Sequence, residues 1–234
     1  MLSIYNSKRA ETIVTYCTVL YSDFAVFKIF NEVKKMEEQK RYSCVKKTKK
    51  AFEDAVAMLA REKPLNKITV KAICSQAQLS RNAFYFHYKD IFDLIEEIEN
   101  RMIGEVEGYI DEFREMGFPK NVLATIKKMV GLFASNRDVS LMLLDSAFSP
   151  TFVPRLGKLF SDFNFEYYKA YHKTDYRANY DMFYSFISNG FYGMIGDWLR
   201  SDEPIDAQRL ETLSYVLIKR LLVLGDPEIQ YEVR

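Results

Sequence analysis

Arg81 and Asn82 stand side by side directly after Ser80, whose hydroxyl suits the cap of a short helix over Arg81 to His87. In the first turn of a helix these two side chains can face a ligand together. A guanidinium pairs in bidentate fashion with guanine and a carboxamide with adenine. Around them lie groups suited to phosphate oxygens: the hydroxyls of Thr69, Ser80 and Tyr85, the imidazole of His87 and the ammonium of Lys89. Lys46, Lys47 and Lys49 add a basic arm upstream or, alternatively, a solvated helix start. Thr69 and Ser80 cap their helices whatever else they touch. Tyr85 and His87 have rival places in a small core, His87 between Phe86 and Tyr88.

Charge marks the same region. The 234 residues carry a net charge of only +1, yet residues 41 to 89 hold 11 basic and 3 acidic side chains, a net of +8. Residues 104 to 234 hold 15 basic and 19 acidic, a net of −4. A compact positive block implies a polyanion as partner.

Other chemistries have little to draw on. Three cysteines (Cys17, Cys44, Cys74) fit neither a disulfide framework nor a zinc-ligand spacing, and suit a reducing compartment. With only His87 and His172, a histidine-rich metal centre is excluded and a Ser-His-Asp triad is poorly supplied. No GxGxxG or GxxxxGK[ST] loop occurs. The chain reads as no enzyme, with no cofactor and no metal site.

The elements that must position these groups read as helices throughout. Apolar residues from Val45 onward follow a helical period, and proline and glycine fall mainly at joints. A first helix is predicted over Lys46 to Glu62, with Phe52, Val56 and Leu59 on one stripe, stopping before Pro64. Two short helices follow, Val70 to Gln76 capped by Thr69 and Arg81 to His87 capped by Ser80, separated by the turn Ala77 to Leu79. Asp90 caps the next, which turns Ile91, Leu94, Ile95 and Ile98 inward and runs toward Gly104. Further helices are predicted at about Pro119 to Ala134, Arg137 to Ala147, Val153 to Lys173, Asp175 to Arg200 and Asp206 to Leu224. Short joints favour one bundle over separate modules. The stretch Ile13 to Phe30 is moderately apolar, but Asp23 and Lys28 interrupt it, so neither a signal peptide nor a membrane span is expected.

The ordered set ITVKAICSQAQLSRNAFYFHYKDIFDLI, Ile68 to Ile95, resembles the DNA-binding domain of TetR-type regulators. A capping Thr, the packing residues Ala72, Ile73 and Ala77, Leu79-Ser80 at the turn, Phe84-Tyr85, His87, Lys89 and a closing Asp-Leu-Ile carry the likeness over about 50 residues. Two positions depart from the pattern. Asn82 stands where such proteins often carry Gly, which alters the half-site read, and Ile91 replaces a frequent Lys, removing one phosphate contact. The resemblance implies an all-α protein with an N-terminal three-helix helix-turn-helix domain and a C-terminal helical bundle for effector binding and dimerisation. The expected division is a 1–42 extension (an extra helix or an over-long start), a 43–103 DNA-binding domain and a 104–234 effector and dimer domain.

In the last part, Ser146 to Trp198 holds 16 Phe, Tyr or Trp in 53 positions, a ligand cavity or a bulky core. Gly190, Gly193 and Gly196 recur on the helix containing Phe186, Phe191 and Trp198, although a helix-interior glycine costs about 1 kcal/mol, which suggests close approach of another backbone. Leu210, Leu213, Leu217, Leu221 and Leu224 form a stripe on the last helix. Phe186, Gly190, Gly193, Leu213 and Leu217 are the expected dimer-interface residues, with packing inside one subunit as the alternative. The segment Phe183 to Leu199 also resembles a subgroup from low-GC Gram-positive bacteria that includes co-activators of dihydroxyacetone-kinase operons. The expectation is a cytoplasmic homodimeric repressor of a double-stranded DNA operator, released by a small-molecule effector whose identity no residue type reveals. An activator, or a helical interaction module without DNA binding, is the alternative.

Overall fold

The computed structural model describes residues 28, 32, 34–36, 39–113, 120–172, 177–202 and 204–224. The chain divides into two compact units, 1–50 and 51–234. Of the first unit, residues 28, 32, 34–36 and 39–50 are helical, with Lys46 and Lys47 exposed and Lys49 half-buried. The expectations placed on Ile13 to Phe30 fall outside the described residues, Lys28 apart.

Among its described residues the second unit is helical wherever it has regular structure. It opens with α1 (residues 51–60) and a single 3-10 turn, Leu65–Lys67, after Pro64. Then come α2 (Val70–Ala77), α3 (Arg81–His87), α4 (Ile91–Phe113), α5 (Lys120–Ser135), α6 (Arg137–Leu144), α7 (Phe152–His172), α8 (Arg177–Arg200) and α9 (Ala207–Leu224). The all-α expectation is met, and most predicted bounds agree within a few residues.

The first predicted helix, expected from Lys46, is already helical at residues 39–45, and two further bounds differ for identifiable reasons. The fourth helix does not stop near Gly104: Met102, Ile103, Val106 and Ile110 are buried and continue its apolar stripe for two more turns. The exposed Gly104 lies within it at only the usual helix-interior cost. The expected boundary at 103/104 therefore falls inside one continuous helix. α6 ends at Leu144, short of Ala147, because Asp145 takes over the local donors: its carboxylate accepts from the Ala147 amide at 2.9 Å and its carbonyl from the Phe148 amide at 2.9 Å.

One apolar core runs through the unit, from Phe52 and Val56 in α1 through Ile73, Phe84, Leu94 and Ile98 to Phe133, Phe152, Ile195 and Leu210. Helix pairs α5 with α9, α7 with α8, α4 with α5 and α4 with α7 pack along it. α4 thus belongs to both ends: Leu94, Ile95 and Ile98 are buried in the core that Phe52, Ile73 and Phe84 share, and the helix also packs against α5 and α7. A buried polar clamp pins it there. The Glu99 carboxylate, 6% exposed, accepts from Ser149 Oγ, from Thr151 Oγ1 at 3.0 Å and from the Arg155 guanidinium at 3.3 Å. Among the described residues no helix is long and apolar enough to cross a membrane.

Candidate nucleic-acid interface

Both predicted caps of the short helix pair are made. The Ala72 amide donates to Thr69 Oγ1 at 3.2 Å and the Ala83 amide to Ser80 Oγ at 3.1 Å, from backbones in the extended region that an N-cap requires. Between the helices, Leu79 N–H bonds to Cys74 O at 3.0 Å and Gln78 N–H to Ser75 O at 3.3 Å, the paired bonds of a Schellman ending. Gln78 supplies the left-handed residue at φ 55°, a conformation that glycine adopts without strain. Below this turn the Cys74 thiol is buried and donates to Ser80 O at 3.7 Å. Burial pushes its pKa up, Arg81 pulling weakly the other way, so it is a packing group and not a nucleophile.

The short helix α3 turns one side to the core and the other to solvent. Phe84 and Tyr88 are 0% and 3% exposed, and their rings meet Phe52 edge-on at 5.3 and 6.3 Å. Tyr88 O–H donates to Glu97 Oε1 at 3.1 Å, and burial, reinforced by that carboxylate, holds its phenol well above the usual tyrosine range. Arg81, Asn82, Tyr85 and Phe86 are all exposed, and so are Thr69, Ser80 and Lys89. The sequence-predicted residues from Thr69 to Lys89 are therefore all exposed, apart from His87, which is half-buried.

The core alternative for Tyr85 is not what forms, since its ring only leans on Phe84 at 5.6 Å and stays 57% exposed. His87 does sit between Phe86 and Tyr88, at ring separations of 4.9 and 6.1 Å, but only Tyr88 is buried. Phe86 is 75% exposed and was missed as a surface residue; its position one turn after Asn82 was the available signal. Asp90 caps α4 through the Asp93 amide at 2.9 Å, while the Asp93 carboxylate accepts from the Lys89 amide at 2.8 Å. That exchange fixes the backbone at Lys89 and leaves its ammonium outward.

A second surface lies on α8 and α9. Phe186 is 67%, Leu213 45% and Leu217 42% exposed, and a Cβ added at Gly190 or Gly193 would meet nothing within 4 Å. Met182 and Val216 on the same two helices are exposed as well. Gly196 departs from its expected grouping: it is buried, and a Cβ there would stand 3.1 Å from the Arg200 guanidinium of its own helix. The leucine stripe also splits. Leu210 is buried, Leu213 and Leu217 face out, Leu221 is half-buried, and the Leu224 side chain lies outside the described residues.

The aromatic segment packs into a core beside a small cavity. Phe133 packs edge-on against Phe152 and Tyr192, and a cavity of about 80 Å³ opens between α5, α7, α8 and α9. Phe160, Asn164, Tyr184, Ser188, Tyr192 and Ile218 are among its walls. Inside, Asn164 Nδ2 donates to Phe160 O at 2.8 Å and to Tyr184 Oη at 3.3 Å. Burial raises the phenols of Tyr184 and Tyr192. No group of three or more His, Cys, Asp or Glu able to hold a metal occurs among the described residues.

This arrangement, a capped helix-turn-helix packed under a longer helical bundle, is the fold class of the TetR-family transcriptional regulators. The sequence resemblance to that family is borne out: residues 120–220 match the family described as transcriptional regulator C-terminal region, TetR_C_8. Solved structures with the same fold include a TetR-family regulator from Syntrophomonas wolfei (16% identity, TM-score 0.59, covering 76% of this chain and 96% of that one). A TerR/AcrR-family regulator from Aquifex aeolicus covers 74% and 99% at 21% identity and TM-score 0.54. A TetR regulator from Streptococcus agalactiae covers 80% and 97% at 19% identity and TM-score 0.51. No curated protein gives a significant match. The matched family and these structures are transcriptional regulators, not enzymes.

Proposed function

We propose that this chain is a cytoplasmic, homodimeric, sequence-specific DNA-binding repressor whose α3 enters the major groove. The single observation that carries the reading is the exposure of Arg81 and Asn82 in the first turn of a helix that Phe84, with Tyr88 just past its end, locks into the core. Arg81 and Asn82 read base edges; Thr69, Ser80, Tyr85, His87 and Lys89 hold phosphates, with Lys46, Lys47 and Lys49 as a basic arm. Residues 43–103 act as the DNA-binding part and 104–234 as the effector and dimer part, joined through α4.

Two copies paired through α8 and α9 place their recognition helices about 34 to 36 Å apart on an inverted repeat. Phe186, Gly190, Gly193, Leu213 and Leu217 form that interface. The cavity behind α8 is the place for a small, largely apolar effector with a polar group for Asn164 or Tyr184. An effector that binds better when the recognition helices are mis-spaced lowers DNA affinity, and DNA lowers effector affinity by the same factor.

Base reading and phosphate holding separate by mutation. Arg81→Ala weakens binding to DNA flanking the protein's own gene by about 1 to 3 kcal/mol and relaxes base preference, whereas Lys89→Ala weakens all sequences alike and lowers the salt slope by about one. Competition binding with unrelated duplexes measures both. An unchanged base preference in Arg81→Ala would overturn the assignment of α3.

A further inference from the structure

We propose that Phe86 is a further specificity residue that reads the 5-methyl group of a thymine next to the bases addressed by Arg81 and Asn82. The inference rests on the major-groove reading of α3 and adds an apolar contact that the polar residues cannot supply. Successive residues of a helix turn by about 100°. Arg81, Tyr85, Asn82 and Phe86 thereby fall, in that angular order, within about 140° of the α3 circumference, and all four are exposed. Phe84 occupies the buried side, and Tyr88 is buried just past the helix end.

At 75% exposed, Phe86 is the barest of the large apolar side chains described. Its ring lies edge-on to His87 at 4.9 Å, on the arc that also carries the polar pair. A phenyl group has no donor for a phosphate. Among the groups that base pairs present in the major groove, the thymine methyl is the apolar one. Phe86 follows Asn82 by four residues, a rise of about 6 Å along the helix, which sets its contact at a neighbouring base pair and not at the same one.

Deoxyuridine tests this directly, because it removes the methyl and leaves the hydrogen-bonding edge intact. The probe is the duplex that the full-length protein itself enriches from a random-sequence library, with each thymine replaced in turn by deoxyuridine. Wild type should lose three- to tenfold affinity at one thymine of each half-site. Phe86→Ala should bind the parent duplex weaker by the same factor and be indifferent to that replacement, while Phe86→Leu should keep part of the response. Circular dichroism establishes that the variants fold, and the wild-type scan stands without them. Equal responses of wild type and Phe86→Ala at every thymine would overturn the proposal while leaving DNA binding intact. So would a wild-type protein insensitive to every replacement, which points Phe86 at another protein surface. Failure of the library to enrich any sequence would instead overturn the underlying reading of α3.

Discussion

Arg81 and Asn82 owe their exposure to their neighbours. In this helix of seven residues Phe84 is the buried one and Ala83 and His87 are half-buried, with Tyr88 buried just past its end, which leaves Arg81, Asn82, Tyr85 and Phe86 exposed. Ser80 and Thr69 were legible as caps because a hydroxyl before an unsatisfied helix start has few other uses. Gln78 was not legible. Its left-handed backbone follows from the Schellman bonds and not from a glycine in the sequence, so pattern reading saw only a turn. A side chain in that region costs about 1 to 2 kcal/mol, partly offset by the extra chain entropy that a glycine loses on folding, about 0.5 to 1 kcal/mol. Gln78→Gly should therefore stabilise the fold by about 0.5 kcal/mol in urea denaturation and leave DNA contacts unchanged; a destabilised variant would contradict the strain assigned here.

At the scale of elements, helix positions were readable because apolar period and caps agree, and their ends were less so. α4 passes Gly104 because burial of Val106 and Ile110 outweighs one poor helix former. The polar clamp on α4 had no sequence signal, since Glu99 lies 50 or more residues from Ser149, Thr151 and Arg155 and only the packed fold brings them together. Glu99 is buried and Arg155 only partly so, with side chains 7% and 41% exposed, which makes the ion pair itself a modest contributor. The hydroxyl donors matter more, because a buried carboxylate that loses one bears the desolvation cost. Thr151→Val should destabilise by about 1.5 to 3 kcal/mol, read as a lower urea midpoint. A neutral result would show that Glu99 does not depend on the α6–α7 joint.

Across the whole molecule, charge and exposed apolar side chains are unevenly divided. The net +8 of residues 41 to 89 is the charge that the proposed reading sets against nucleic acid, while Met182, Phe186, Leu213, Val216 and Leu217 leave apolar side chains exposed on α8 and α9. The sequence pointed to those helices through glycine spacing, yet could not tell Gly196, which faces its own Arg200, from Gly190 and Gly193, which face open space. Phe186→Lys should convert a dimer into a monomer in sedimentation velocity and weaken binding to the inverted repeat at least tenfold; an unchanged mass would remove α8 from the interface.

Tyr88, Tyr180, Tyr184 and Tyr192 all hold their protons more tightly folded than unfolded, chiefly through burial. Their contribution is complete below the ordinary tyrosine value of 10.0 and is lost as the pH rises beyond it, because the unfolded chain ionises first. The thermal midpoint should accordingly hold between pH 7 and 9 and drop above about pH 10. A midpoint unchanged at pH 11 would contradict the burial of these phenols.

The most direct measurement is equilibrium fluorescence anisotropy of the full-length protein on a labelled duplex from the flank of its own gene and on a shuffled duplex of equal composition, over a salt titration. A protein that reads the major groove through α3 should bind with two subunits per site, prefer the flanking sequence by at least about 10³, and lose affinity steeply with salt as phosphate contacts release counterions. Equal affinity for the two duplexes at every salt concentration would contradict that role of α3.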